Sequence, residues 1–139
     1  MINKRFNGPI RKGNEGNEQD SLQISFSSKR VKGTFRVYYF KDHDHYIAYM
    51  PSLQLTGYGD NKKEAVDMLF DVVLDDFCEN LLELPIEKAN NFLSNLGWKR
   101  NKLFHKKFSA NSFIDKEGIL RNFNLPIETK IESEVLTAA

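Results

Sequence analysis

The stretch that most constrains what this chain can fold into is Tyr46 to Phe77, YIAYMPSLQLTGYGDNKKEAVDMLFDVVLDDF. It reads as a short strand, a break marked by Pro51, a second strand ending in Gly57-Tyr58-Gly59-Asp60, and a long amphipathic helix. Gly57 and Gly59 let the backbone turn tightly as it leaves the strand. Asn61 is a good N-cap, and Glu64 stands three residues later, where its carboxylate can reach back to the Asn61 backbone N–H. The Asp60 carboxylate favours the positive end of the helix dipole. The chain therefore passes here from sheet to helix, and the chemistry of the passage is architectural.

Taken in order, Met1 to Asp20 is polar and holds Gly8, Pro9, Gly13 and Gly16 without periodicity, the composition of a flexible tail. Leu22, Ile24 and Phe26 alternate with Gln23, Ser25 and Ser27, as in a half-buried strand. Phe35 to Phe40 is strongly β-prone and, Arg36 apart, apolar or aromatic on both faces, so it reads as a central strand covered on each side. Lys41 to His45 turns the chain, Tyr46 to Met50 returns antiparallel, and Gln54 to Tyr58 is the next strand. The helix runs from Lys62 to about Leu82 and sets Glu64, Asp67, Asp71 and Asp75 along one solvated line. Ala65, Val66, Met68, Leu69, Val72, Val73, Phe77 and Leu81 lie opposite, a wider apolar sector than one sheet face requires. Either the C-terminal half or a second subunit is needed to cover it, and a homo-oligomer is expected.

Beyond this helix, Pro85 opens a shorter one with Ile86, Ala89, Phe92, Leu93 and Leu96 on one face and Gly97 at its end. Trp98 to Phe108 is basic and aromatic, Asp115 to Gly118 reads as a turn, and Glu128 to Leu136 alternates as a terminal strand closing a sheet edge. The expected fold is α+β: an antiparallel three- or four-stranded sheet with one long helix packed on it, a β-β-β-α core. A short C-terminal helix, a hairpin and a terminal strand complete it. Residues 1–20 form the tail, 21–84 the core, and 85–139 an extension packed on the same body.

A chain of 139 residues with 40% hydrophobic and 28% charged residues fits one soluble domain. No apolar run reaches the length of a membrane span, and Met1 to Gly13 lacks the apolar centre of a signal peptide, so a cytoplasmic protein with no membrane partner is expected. The single Cys78 sits within the helix pattern and reads as a small buried hydrophobe. The net charge of +1 conceals segregation: the 60–83 helix region carries eight carboxylates and two lysines, while basic segments flank it on both sides. Such segregation serves either internal pairing or an external charged partner.

Candidate chemistry is sparse. Asp42-His43-Asp44-His45 offers metal-ligand types, but consecutive residues of a strand diverge to opposite faces, and a solvated hairpin turn fits better. There is no Gly-rich phosphate loop, nucleophile elbow or Ser-His-Asp set, so neither an enzyme nor a cofactor is expected. The cations Lys99, Arg100, Lys102, Lys106 and Lys107, interleaved with Trp98, Phe104 and Phe108, are the best candidates for contacting nucleic acid.

Pro51, Leu53, Gly57, Gly59, Asp60, Glu64 and Ala65 together resemble the core signature of HicB-like antitoxins: a strand ending in Pro-x-Leu, a glycine-bearing turn leading into Asp-Thr, and a helix opened by Glu-Ala. Asn61 stands where the family often has Thr and keeps the capping function. The likeness spans about Phe35 to Leu82 and consists of turns and caps. It implies a partial ribonuclease H-like architecture, here with Tyr, Val, Ile and Phe where that enzyme's strands carry carboxylates. It also implies a non-catalytic protein that binds and neutralises a small basic HicA-type toxin ribonuclease. On that reading Asp67, Asp71 and Asp75 attract the partner, with Tyr38 and Tyr58 as aromatic anchors. HicB-like antitoxins commonly add a C-terminal DNA-binding helical module; the segments after Leu82 lack its two-helix spacing. Two other readings stand beside it: a nucleic-acid-binding regulator acting through residues 98–108, and a stand-alone oligomeric domain without a toxin.

Overall fold

One long strand carries the sheet. The computed structural model describes residues 10–13, 19–111 and 114–138. Its strands are β1 (Arg11–Lys12), β2 (Gln19–Ser25), β3 (Arg30–Asp42), β4 (His45–Met50), β5 (Leu55–Gly59), β6 (Lys99–Arg100), β7 (Lys107–Asn111) and β8 (Glu132–Ala138). Helix α1 runs through residues 62–83, followed by α2 (Ile86–Asn95) and α3 (Lys116–Asn122). The fold is α+β as expected, with a larger sheet that has eight strands among the described residues, all paired antiparallel.

The β3 strand is long enough to have different neighbours along its length. β8 lines one edge from Gly33 to Tyr39. The other edge is shared: β2 pairs with Arg30 to Thr34, and β4 pairs with Tyr38 to Asp42. The sheet thus forks into one arm of β2, β7 and β6 and another of β4 and β5. Asp20 fills the fork. Its buried carboxylate accepts hydrogen bonds from the Arg36 backbone N–H at 2.9 Å and from the Ser52 hydroxyl at 2.5 Å. A buried polar group is tolerated when its hydrogen bonds are made in this way.

Alternation along β3 divides the core. Phe35, Val37 and Tyr39 face α1 and α2, with Phe35 edge-on to both Phe70 and Trp98 at 6.4 Å. Tyr38 and Phe40 face the other way and pack with Ile119 of α3, Ile47, Tyr49 and Phe123. The central strand is covered on both sides, as its composition predicts. The cover on the second side lies over the β4 arm.

The start of α1 follows from its sequence. Asn61 Oδ1 accepts from the Glu64 N–H at 2.9 Å, while Glu64 Oε2 accepts from the Asp60 N–H at 3.0 Å. The carboxylate therefore reaches one residue further back than the Asn61 N–H expected for it. Beneath the helix, a side chain at Gly57 would stand 2.5 Å from the Ala65 carbonyl oxygen and the Leu69 nitrogen, so α1 lies directly on the β5 backbone.

Within α1, Met68–Leu74 is π-helical between the α segments Lys62–Asp67 and Asp75–Glu83. Its buried residues step from Ala65 to Leu69, then by five to Leu74, and again by four to Cys78 and Leu82. The wider turn rotates the core face by one residue. Val72, expected inside, is consequently 50% exposed, and Phe70 and Leu74 take its place. Part of the expected wide apolar sector is covered by α2, where Phe92 meets Phe77 at 5.8 Å between ring centroids.

Three other expectations change. Arg11 and Lys12 pair with β8, and Gln19 and Asp20 belong to β2, so these residues are not part of a loose tail; residues 1–9 and 14–18 lie outside the described residues. Asp115 to Gly118 does not turn the chain but opens α3, because Asp115 Oδ1 accepts from the Gly118 N–H at 2.7 Å as a helix cap. The terminal strand begins at Glu132 and sits between β3 and β1, so the two-residue β1 forms the edge.

Candidate binding surfaces

The acidic surface lies on the outside of α1. Asp71 is exposed there and Asp67 and Asp75 are half-buried. Lys63 Nζ donates to Asp67 at 2.6 Å, and this hydrogen bond together with the attraction of Asp67 raises the Lys63 pKa above its usual value. Asp67 thus carries its own counter-charge within α1. Asp75 lies close to Asp76 and Glu79, with ligand oxygens of all three within 4.8 Å of one another. Among the described residues, Asp42, His43, Asp44 and His45 form no comparable group. They lie at the β3–β4 turn, where His43 has positive φ and its Nδ1 stands 2.8 Å from Asp42 Oδ1.

The two tyrosine anchors are not beside the aspartates. Tyr38 is only 8% exposed, sits under α3, and its hydroxyl accepts from the Ile114 N–H at 3.4 Å. Its assignment as a surface anchor is corrected: apolar cover from α3, unseen in the sequence pattern, buries it. Tyr58 is 60% exposed. Its neighbour Gly57 faces α1, so alternation turns Tyr58 to the opposite face of the sheet from the aspartates.

The five cations, by contrast, come together on one hairpin. Lys99 and Arg100 lie on β6, Lys107 on β7, and Lys102 and Lys106 in the connection; all five are exposed. Asn101 organises the tip, its side-chain oxygen accepting from the N–H groups of Leu103 at 2.8 Å and Phe104 at 2.9 Å. The connection closes through Asn101 N–H to the Lys107 carbonyl at 2.7 Å and Lys107 N–H to the Phe104 carbonyl at 2.9 Å. Trp98 and Phe108 anchor the base of the hairpin in the core, and the Trp98 indole N–H donates to the Ser52 carbonyl at 2.8 Å. The tip presents Leu103 at 85% and Phe104 at 60% exposure, with Lys107 Nζ 5.0 Å from the centre of the Phe104 ring.

One feature of this end of the molecule escapes a reading of the sequence. A groove of about 250 Å³ opens on the sheet face beside the hairpin, lined by the polar residues Ser21, Gln23, Lys32, Thr34, Lys107 and Thr137 together with Leu22 and Gly33. The alternation of β2 marks Ser21 and Gln23 as an outward face, but only the strand register brings them beside Lys32, Lys107 and Thr137.

The fold and these surfaces define an α+β protein with a forked antiparallel sheet, an acidic helix on one side and a cationic hairpin at one end. Comparison of the chain with protein-family models, with curated proteins and with solved structures finds no match. Among the described residues no helix is long and apolar enough to cross a membrane.

Proposed function

We propose that this protein is a non-catalytic, cytoplasmic HicB-like antitoxin that binds and neutralises a small basic HicA-type toxin ribonuclease. The observation that carries this reading is the unit β3–β4–β5–α1, in which the signature residues have interlocking structural roles. Pro51 opens the short 3₁₀ turn after β4, and Leu53 is buried at its end. Gly57 and Gly59 leave room for the helix laid over β5, Asn61 and Glu64 close its cap, and Ala65 is fully buried against the strand. The carboxylates of α1 supply a surface complementary to a basic partner, with the exposed Asp71 and the half-buried Asp75 at its centre. The test is capture of the tagged protein from nuclease-treated lysate of its own host. One small basic protein should be retained at near-equal stoichiometry and be toxic when expressed alone; recovery of no partner removes the reading. Charge reversal by Asp71→Lys and Asp75→Lys should weaken the capture, and unchanged affinity would remove the acidic surface from the account.

A second reading, binding of nucleic acid, is favoured by the five cations gathered on the exposed β6–β7 hairpin. Affinity for an oligonucleotide should then fall steeply with salt, since each phosphate contact releases a counterion. Affinity that hardly changes between low and moderate salt would exclude it.

A further inference from the structure

We propose that the hairpin is one end of a longer track, and that the sheet face beside it, where the described residues leave a groove, holds the sugar–phosphate backbone of a single-stranded polynucleotide. The proposal rests on the nucleic-acid reading of the hairpin and extends it to residues of three other strands.

The strand register lays out the track. Thr137, Thr34, Ser21, Ser109 and Lys99 stand directly opposite one another across β8, β3, β2, β7 and β6. Directly opposed residues of antiparallel strands share a face, so four hydroxyls lead in a row to an ammonium group, over about 19 Å at ordinary strand spacing. A second row, one step along, runs Lys32, Gln23 and Lys107. Lys32 and Lys107 stand two strands apart, about 10 Å. Both rows are on the face opposite α1, and the cover that α3 gives lies over the β4 arm instead. The groove lies between the rows. At the β8 end the Thr34 and Thr137 hydroxyls are hydrogen-bonded to each other at 3.0 Å, and Gly13 N–H donates to the Val135 carbonyl at 2.8 Å.

The chemistry of this face suits phosphate. Lysine ammonium groups, hydroxyls and a side-chain amide are the donors that contact nucleic-acid backbones. The carboxylates of the neighbouring strands, Asp20, Glu132 and Glu134, alternate to the other face, and no Asp or Glu stands in either row. Lys107 joins the groove to the tip, since it lines the one and lies over the Phe104 ring of the other. An exposed aromatic ring is a stacking platform for an unpaired base, which a duplex keeps inside its own stack. Leu103 and Phe104 also bring no hydrogen-bonding group to the edges of paired bases, so the tip is suited to single strands.

Fluorescence anisotropy with labelled single-stranded RNA and DNA of about twelve nucleotides, and with the corresponding duplex, tests the proposal over a range of salt. The wild-type protein should bind single strands more tightly than duplex. Lys32→Ala, which lies outside the hairpin, should reduce the slope of log affinity against log salt by about 0.7, the value for one lost phosphate contact. Phe104→Ala should weaken binding about fivefold or more with little change in slope. If Lys102→Ala with Lys106→Ala weakens binding while Lys32→Ala leaves affinity and slope unchanged, the track is overturned and the hairpin reading stands. Tighter binding of duplex overturns the choice of ligand. Absence of binding to any oligonucleotide overturns both readings. The comparison of RNA with DNA separates the two sources of the same backbone chemistry.

Discussion

Gly57 and Gly59 are the residues at which sequence and fold are most tightly joined, because a helix backbone occupies the space a side chain would need. The obstruction at Gly57 is main-chain, the Ala65 carbonyl and the Leu69 N–H, so it cannot be relieved by a rotamer change. Gly57→Ala should lower stability by about 1–3 kcal/mol or more, measured by denaturant unfolding. A change below a few tenths of a kcal/mol would show that α1 can lift from β5. Glu134 makes a different link, between β8 and α1. Its partial burial opposes ionisation, but the Lys62 ammonium at 3.1 Å, the Tyr39 hydroxyl and Lys12 outweigh that cost, and its pKa is held below the ordinary glutamate value. A depressed carboxylate stabilises the fold above its unfolded-state pKa and loses that contribution as pH falls through the folded value. Wild type should therefore exceed Glu134→Gln in melting temperature at neutral pH, and the gap should close as the pH falls below the ordinary glutamate range. A gap independent of pH would exclude the linkage.

Among the elements, α1 shows best what its residues can and cannot announce. Its start is legible because Asn61, Glu64 and the glycines act locally. Its π-helical middle is not, because Val72 and Val73 satisfy an α-helical pattern better than the five-residue step from Leu69 to Leu74 that the sheet selects. That step predicts that deletion of Val72 restores an α-helical spacing between Leu69 and the residues that follow. The variant should unfold cooperatively, whereas deletion of Glu79, in the α-helical part, displaces Leu81 and Leu82 from the core and should abolish folding. Circular dichroism with chemical unfolding distinguishes the pair, and equal damage from both deletions would contradict the argument. Element α3 was hidden for another reason: an Asp whose carboxylate accepts from the N–H three residues on serves a turn and a helix cap alike. Its packing partners lie on β3 and β4, remote in sequence, and Tyr38 was misplaced with it. The same distinction separates the candidate surfaces. The five cations of the hairpin are neighbours in the chain and could be read directly, while Ser21, Lys32 and Thr137 meet only through register.

At the scale of the whole molecule, the forked sheet makes the chain depend on contacts between distant segments. β8 pairs with β3 across roughly a hundred residues of chain, and the β2–β7 pairing is nearly as remote. Such topology closes slowly, so refolding on the millisecond-to-second scale is expected in stopped-flow fluorescence of Trp98. Removing Glu132–Ala138 would expose one edge of β3 from Gly33 to Tyr39, apolar on the side that faces α1 through Phe35 and Val37. The shortened chain should aggregate, seen by light scattering, because an open apolar edge is a template for pairing with another chain; a soluble, cooperatively folded truncation would show that β8 is dispensable. The chain's one thiol, on Cys78, lies buried where α1 closes over the sheet. A thiol reagent can reach it only in molecules whose helix has come away. Its labelling rate in native buffer is therefore a clock for that opening, and any ligand that clamps the fork or the groove should slow the clock without touching the sulfur.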